Sequence, residues 1–298
     1  MSSDQTPPQW RADLALALVA MIWGGTFVLV KDALTDVSPV LFLGLRFSVA
    51  TLALSVLYVV NPSERGARGG WAGGVVTGVL LFLGYLFQTL GLRLTTPAKS
   101  GFITGLYIVL VPLASVFVYK RAPQISEALG VGVAMVGLGL MTFTGRTFEI
   151  GTGDLLTVGC AFLFTFHIMA LGYYSRRMAF GWLTLLQIGT CAAIAVVSFW
   201  WVETPVLHLN RQVFIAIAVT SLLGTALAFT VQTWAQRYTS PTRTALIFAL
   251  EPVFAWATSF VLTNEVLSRR AAIGAFCILA GILLVELKPI RGRPHLFK

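Results

Sequence analysis

The sequence predicts an all-α polytopic membrane protein, with ten transmembrane helices forming two inverted five-helix repeats around a central cavity. Three observations carry this: the composition, a series of apolar stretches, and a block of residues that recurs in the second half. Apolar residues make up 57% of the 298, and only 33 side chains are charged, 21 basic and 12 acidic. Soluble domains carry about 25% charged residues, so 11% cannot cover a water-facing particle. The mean hydropathy of +0.83 agrees.

A helix needs about 20 mostly apolar residues to cross a hydrocarbon core. Ten stretches meet that length, at 13–31, 38–60, 71–92, 99–118, 127–145, 154–174, 180–202, 212–235, 244–263 and 271–287. None shows the alternation of a membrane barrel. Short connections such as Asn61-Pro62, Lys120-Arg121-Ala122-Pro123 and Gly151-Thr152-Gly153 separate them, leaving no room for an extramembrane domain. The net charge of +9 comes from bases placed singly or in pairs at span ends, which excludes a nucleic-acid reading. Thirteen Lys and Arg fall on the side of the two termini and the even-numbered connections, seven on the other, and Arg46 lies within a span. Positive-inside bias therefore puts both termini in the cytoplasm, with Lys288, Arg291, Arg293 and Lys298 as the anchoring tail. Trp71, Trp182, Trp200 and Trp201 lie at span ends, where interface anchors belong.

The repeat is the informative feature. Gln88-Thr89, Arg93, Thr95 and Pro97 recur 144 residues later as Gln232-Thr233, Arg237, Thr239 and Pro241. Asp13-Leu14 matches Asp154-Leu155, Gly130 and Gly137 match Gly274 and Gly281, and Leu110-Val111-Pro112 matches Leu250-Glu251-Pro252. The units are expected at 1–150 and 151–298, the second ending in the basic tail. Five spans per unit is an odd number, so the second unit enters the membrane from the opposite face. Two such halves can pack in two mirrored ways, opening a cavity to one side or the other, which is the basis of alternating access.

These residues also resemble the drug/metabolite transporter superfamily, in its ten-helix EamA-type branch. The resemblance rests on Trp23-Gly24-Gly25-Thr26-Phe27, on Pro39 with Arg46-Phe47, on Gly101-Phe102-Ile103-Thr104-Gly105-Leu106-Tyr107 leading to Pro112, and on Glu251-Pro252. It covers essentially the whole chain and looks nearest to bacterial exporters of aromatic and other amino acids. The resemblance implies an inner-membrane secondary transporter exporting amino acids or similar small amphipathic metabolites. The alternative is efflux of organic cations and drugs within the same superfamily.

Polar groups within spans are costly, about 2.5–3.5 kcal/mol for an ion at a helix centre, and so should face protein or a wet cavity. Candidate cavity residues are Trp23, Thr26, Arg46, Tyr85, Gln88, Tyr107, His167, Gln187, Thr225, Gln232 and Glu251. Arg46, about 10 Å from its span end, could bind a carboxylate; equally it could pin two helices through backbone carbonyls. His167 occupies the repeat position of Thr26, and histidine titrates near neutrality, which suits a proton-linked gate; a neighbouring helix could also satisfy it as a neutral ring. Glu251 could take a proton or an ammonium, or act as a protonated helix lock. Pro112 and Pro252 free the carbonyls of Ile108 and Phe248 and are expected hinges. Phe164 and Phe248 add aromatic surface, and the span-five glycines Gly130, Gly132, Gly137 and Gly139 suit close helix packing.

Other chemistries find little support. Gly151-Thr152-Gly153-Asp154 resembles the GxGD of membrane aspartyl proteases, but Asp4, Asp13, Asp32 and Asp36 lie at or beyond span ends, leaving no second aspartate in position. Hydrolase, zinc and nucleotide-binding motifs are absent, so neither an enzyme, a metal site, a cofactor nor ATP-driven pumping is expected. Cys160, Cys191 and Cys277 read as small apolar residues. The expected partners are a small-molecule substrate and the lipid bilayer, with no nucleic acid, and a monomer suffices.

Overall fold

The structure, a computed structural model, describes residues 9–60, 70–120, 124–142, 150–263 and 268–286. The turn residues Asn61, Pro62, Arg121, Ala122 and Pro123, and the tail bases Lys288, Arg291, Arg293 and Lys298, lie outside that set. Among the described residues, thirteen α-helices fill the expected spans. The first three spans are α1 (Gln9–Ala33), α2 (Pro39–Val60) and α3 (Ala72–Leu94). The fourth is split into α4 (Pro97–Thr104) and α5 (Tyr107–Tyr119), and the fifth is α6 (Ile125–Thr142). In the second half come α7 (Thr152–Tyr174), α8 (Phe180–Val202), α9 (Arg211–Ser221), α10 (Ala228–Ala235), α11 (Pro241–Phe248), α12 (Glu251–Thr263) and α13 (Arg269–Glu286). A π-helical turn, Leu222–Leu227, joins α9 to α10. Among the described residues, seven helical stretches are long and apolar enough to cross a membrane alone.

Local chemistry explains the helix starts. Thr96 caps α4 by accepting from Lys99 N–H at 3.3 Å, with Pro97 at the first helical position; Ser240 caps α11 by accepting from Arg243 N–H at 3.2 Å, with Pro241 after it. Glu203, past the end of α8, accepts from Val40 and Leu41 N–H at the start of α2 (3.1 and 2.8 Å), where free amides and the helix dipole favour an anion.

Packing follows the repeat. The first span packs on the eighth and ninth, and the sixth on the third and fourth. The second packs with the seventh, the fifth with the tenth, and the fourth with the ninth. The fifth and tenth spans show the sense of the symmetry most directly. A Cβ on Gly130 would lie 2.6 Å from Gly281 O, and one on Gly137 would lie 2.5 Å from Gly274 O; the reverse pairings are equally tight. Numbers rising along α6 meet numbers falling along α13, so these equivalent helices are antiparallel and exchange contacts about a twofold axis perpendicular to them. That is an inverted repeat, with small residues allowing backbone-to-backbone approach.

The expected kinks are present, with a correction to their origin. Both interrupted spans tighten into 3₁₀-type bonds: Leu106 and Ile108 N–H donate to Ile103 and Gly105 O, and Ala249 and Leu250 N–H to Leu246 and Ile247 O. The breaks fall at Gly105–Leu106 and Ala249–Leu250. Pro252 is the second residue of α12 and sits at its break, whereas Pro112 lies inside α5. The Leu-x-Pro match was one helical turn out of step. The register of 144 that relates Pro97 to Pro241 makes Tyr107, not Val111, the counterpart of Glu251.

Trp71, Trp200 and Trp201 are exposed, as interface anchors should be, while Trp182 is half-buried against Tyr58. Cys160 and Cys191 are buried free thiols.

Two glycines of α6 give a controlled test of the dyad contact. Gly137→Val must push α13 away, whereas Gly132 has open space where its Cβ would be. We expect Gly137→Val to lower the thermal midpoint in detergent by several degrees and Gly132→Val to leave it unchanged, read by differential scanning fluorimetry.

Candidate functional site

The inward faces of seven spans line one partly open cavity. Nine of the eleven candidate residues line it: Trp23, Thr26, Arg46, Tyr85, Gln88, Tyr107, His167, Gln232 and Glu251. Gln187 and Thr225 stand just behind, fully buried, each bonded to a residue of the lining.

Arg46 is buried and held by neutral acceptors. Its Nε donates to Thr225 Oγ1 at 2.7 Å, and Nη2 donates to Tyr85 Oη and Gly224 O, both at 3.2 Å. The guanidinium carbon stands 4.6 Å from the Tyr85 ring centre, within cation–π range. Thr225 passes its own hydrogen to Thr220 O at 2.8 Å, a span of five residues that only the π turn allows. Trp23 Nε1 donates to the same Gly224 carbonyl at 2.8 Å, and its ring packs against Phe229 and Phe248. Thr26 Oγ1 donates within its own helix, to Trp23 O.

Opposite this cluster, Tyr107 Oη donates to Glu251 Oε1 at 3.1 Å. These two are repeat counterparts, so the local dyad passes between them. Glu251 O also faces Gly24, where no Cβ could fit, which brings α1 and α12 into backbone contact.

His167 is satisfied by its neighbours, and its tautomer follows from the chain of bonds. Thr233 Oγ1 donates to Phe229 O at 2.6 Å and so accepts from Gln187 Nε2 at 3.0 Å. Gln187 therefore turns its oxygen to His167, whose Nε2 must carry the hydrogen, at 3.0 Å. The same logic orients Gln232. Gln236 Nε2 donates to Ile168 O (3.0 Å), so its Oε1 accepts from Gln232 Nε2 (3.2 Å), leaving Gln232 Oε1 sealed and without a partner. Its counterpart Gln88 is half-buried and makes no hydrogen bond among the described residues.

The lining is symmetric in position and asymmetric in chemistry. A register of 141 holds for the first two spans of each half, as in Asp13 and Asp154, and 144 for the rest. Arg46 thus corresponds to Gln187, Thr26 to His167, Trp23 to Phe164, Tyr85 to Phe229 and Tyr107 to Glu251. The cavity also reaches Val30 and Leu92, while their counterparts Leu171 and Gln236 are fully buried and off the lining.

Residue-type reasoning missed the apolar wall of Phe27, Val30, Leu81, Leu92, Ile168 and Phe229, which carries no polar signal. Phe229 was reachable as the repeat position of Tyr85. The Gly224 carbonyl had no signature, because a π turn has none in sequence.

Beyond each end of the cavity lies an ion pair, and the two are repeat counterparts. Asp13 accepts from Arg243 at 3.0 Å and from Thr239 at 3.3 Å. Asp154 accepts from Lys99 at 2.6 Å and from Thr95 at 2.9 Å, and its Oδ2 reaches back to Gly151 N–H at 2.8 Å. Inversion places these clusters at opposite faces. Lys31 Nζ, near the second, donates to Leu92 O and Thr95 O, closing the C-terminal end of α3.

The bond chain through Gln187 yields a stability prediction. Gln187→Leu strands the His167 Nε2 hydrogen in the interior, a loss of about 1–3 kcal/mol. The detergent unfolding midpoint should fall by several degrees, and Gln187→Glu, which keeps the acceptor, should fall less.

Comparison with known proteins agrees with this architecture. An uncharacterized transporter of Archaeoglobus fulgidus is 37% identical over 280 residues, covering 93% of this chain and 86% of its own. The uncharacterized transporter YoaV of Bacillus subtilis is 20% identical over 91% of this chain and 95% of its own. A crystal structure of 20% identity matches 93% of this chain and 97% of its own with a TM-score of 0.77, which shows the fold. The EamA-like transporter family matches residues 10–143 and again 151–287, one match per five-span unit. This chain is a multi-pass membrane transporter and belongs to the EamA-like transporter family.

Proposed function

We propose that this protein is a secondary transporter of the bacterial inner membrane, with both termini cytoplasmic, that exports amino acids by alternating access. Aromatic and other neutral amino acids, or similar small amphipathic metabolites, are its substrates. The observation that carries the reading is the cavity itself. One basic group, Arg46, and one acidic group, Glu251, share it with the rings of Trp23, Tyr85, Tyr107, Phe164, Phe229 and Phe248. Among the described residues the two charged side chains make no ion pair with each other. A zwitterion with an apolar side chain matches that combination, and ordered aromatic walls with few polar points are typical of small-molecule sites.

The two ion pairs supply the gates. Asp13 with Arg243 closes the cytoplasmic end, and Asp154 with Lys99 the outer end. The access equilibrium then depends on which latch opens, and weakening one shifts population toward its side. Organic-cation efflux is the second reading, favoured by Glu251 hydrogen-bonded to Tyr107 amid aromatic rings, which could hold a cation.

Reconstitution in proteoliposomes with labelled amino acids and labelled organic cations decides between the two: saturable counterflow of phenylalanine is expected, and counterflow of cations alone overturns the amino-acid reading. The latches have their own test. In a background with Cys160, Cys191 and Cys277 replaced, Gln88→Cys reports cavity access to an impermeant maleimide from outside. Asp154→Asn should raise the outside labelling rate several-fold and Asp13→Asn should lower it. A change of the same sign in both removes the gating assignment.

A further inference from the structure

Where the two halves obey the repeat, the residues serve the fold; where they depart from it, something else needs explaining. Two departures stand out within the described residues. First, the position occupied by Gln187 in the second half is Arg46 in the first. Gln187 shows what this position requires structurally: a neutral amide, fully bonded to His167 and Thr233. Second, the eighth span is broken by the π turn Leu222–Leu227, whereas its counterpart α3 runs unbroken from Ala72 to Leu94. The two departures meet. The π turn offers Gly224 O and Thr225 Oγ1, and both bond to the Arg46 guanidinium.

That arrangement fixes the guanidinium without neutralising it. Nε and Nη2 are engaged by a hydroxyl, a phenol and a carbonyl, and no carboxylate lies within ion-pairing distance among the described residues. The Nη1 amino group donates to nothing there and, unlike Gln232 Oε1, is not sealed from the cavity. A buried cation with a complete neutral cradle and a spare pair of N–H donors is organised for an anion that arrives and leaves. Neutral acceptors orient such a group without competing for it, and carboxylates are the anions a guanidinium binds by directed, charge-assisted hydrogen bonds.

We propose that Arg46, held by the π turn of the eighth span, is the binding site for the substrate's carboxylate, and that it makes the transporter selective for monocarboxylates over amines of the same shape. This rests on the transport reading above and adds the chemical group that is recognised. Thr225 and Tyr85 are positioning residues: they aim the guanidinium and do not touch the ligand's carboxylate.

Three probes separate the possibilities in proteoliposomes: phenylalanine, 3-phenylpropionate, which lacks the ammonium, and 2-phenylethylamine, which lacks the carboxylate. As competitors of counterflow, the two carboxylates should lose at least tenfold in apparent affinity in Arg46→Gln, while 2-phenylethylamine is unchanged; Arg46→Lys should lose less. Equal affinity of wild type and Arg46→Gln for the carboxylates overturns the proposal, as does an equal loss for all three probes. If Arg46→Gln does not fold, Thr225→Ala keeps the guanidinium and loosens its cradle. It should weaken the carboxylates several-fold and spare the amine, and the absence of that difference counts against the site. Wild type that takes 3-phenylpropionate but not phenylalanine refutes amino-acid export and leaves the carboxylate site standing. Phenylalanine transport indifferent to Arg46 does the reverse. Should wild type transport none of them, stabilisation of the purified protein by 3-phenylpropionate, lost in Arg46→Gln, upholds the site, and no stabilisation refutes it.

Discussion

Hydrocarbon cannot donate or accept a hydrogen bond, and that single deficiency of the surrounding solvent organises this molecule. Every amide must be paired within its own helix, so the chain can only cross as helices. Polar side chains are costly there unless a partner or a wet cavity receives them, and most of those within the spans gather where the halves meet. Thr77, Thr157, Thr165 and Thr233 satisfy their hydroxyls on their own helix backbones. Gln187, His167 and Thr233 satisfy one another. Arg46 alone brings a charge that its neutral neighbours orient but do not cancel, and Glu251 shares only a phenol.

Packing obeys the same constraint from the other direction. Lipid tails are as apolar as leucine, so burying leucine gives helices no reason to associate. Close approach does. Glycines bring α6 to α13, and Gly24 brings α1 to the Glu251 carbonyl, making dispersion contacts that lipid cannot match. Cavity and terminal ion pairs thus sit within a frame of close helix contacts, interrupted at the two mid-span breaks and the π turn.

Much of this was legible in the sequence because it depends on counting. The spans follow from apolar length, and 180–202 coincides with α8. Inversion follows from an odd number of spans per repeat. Nine of the candidate residues line one cavity because polar groups in apolar runs have few places to go. What was not legible depends on register and on backbone. The Leu-x-Pro match suggested that Pro112 and Pro252 were equivalent, although the helix boundaries set the repeat one turn away. The tightened turn at Gly105–Leu106 contains no proline. The π turn left no trace in residue type, yet it decides how Arg46 is held. Phe27, Val30 and Leu81 were invisible among so many apolar residues, since an aliphatic wall of a cavity and an aliphatic contact with lipid are spelled alike.

The hydrogen bond between Tyr107 and Glu251 has one more implication. A residue on a twofold axis faces its own copy, so a homodimer of identical five-helix subunits would oppose phenol to phenol or carboxylate to carboxylate. Two halves of different sequence instead set a phenol against a carboxyl group there, with Tyr107 donating to Glu251. Divergence between the halves therefore places two different chemistries at a position where identical subunits would present the same side chain twice.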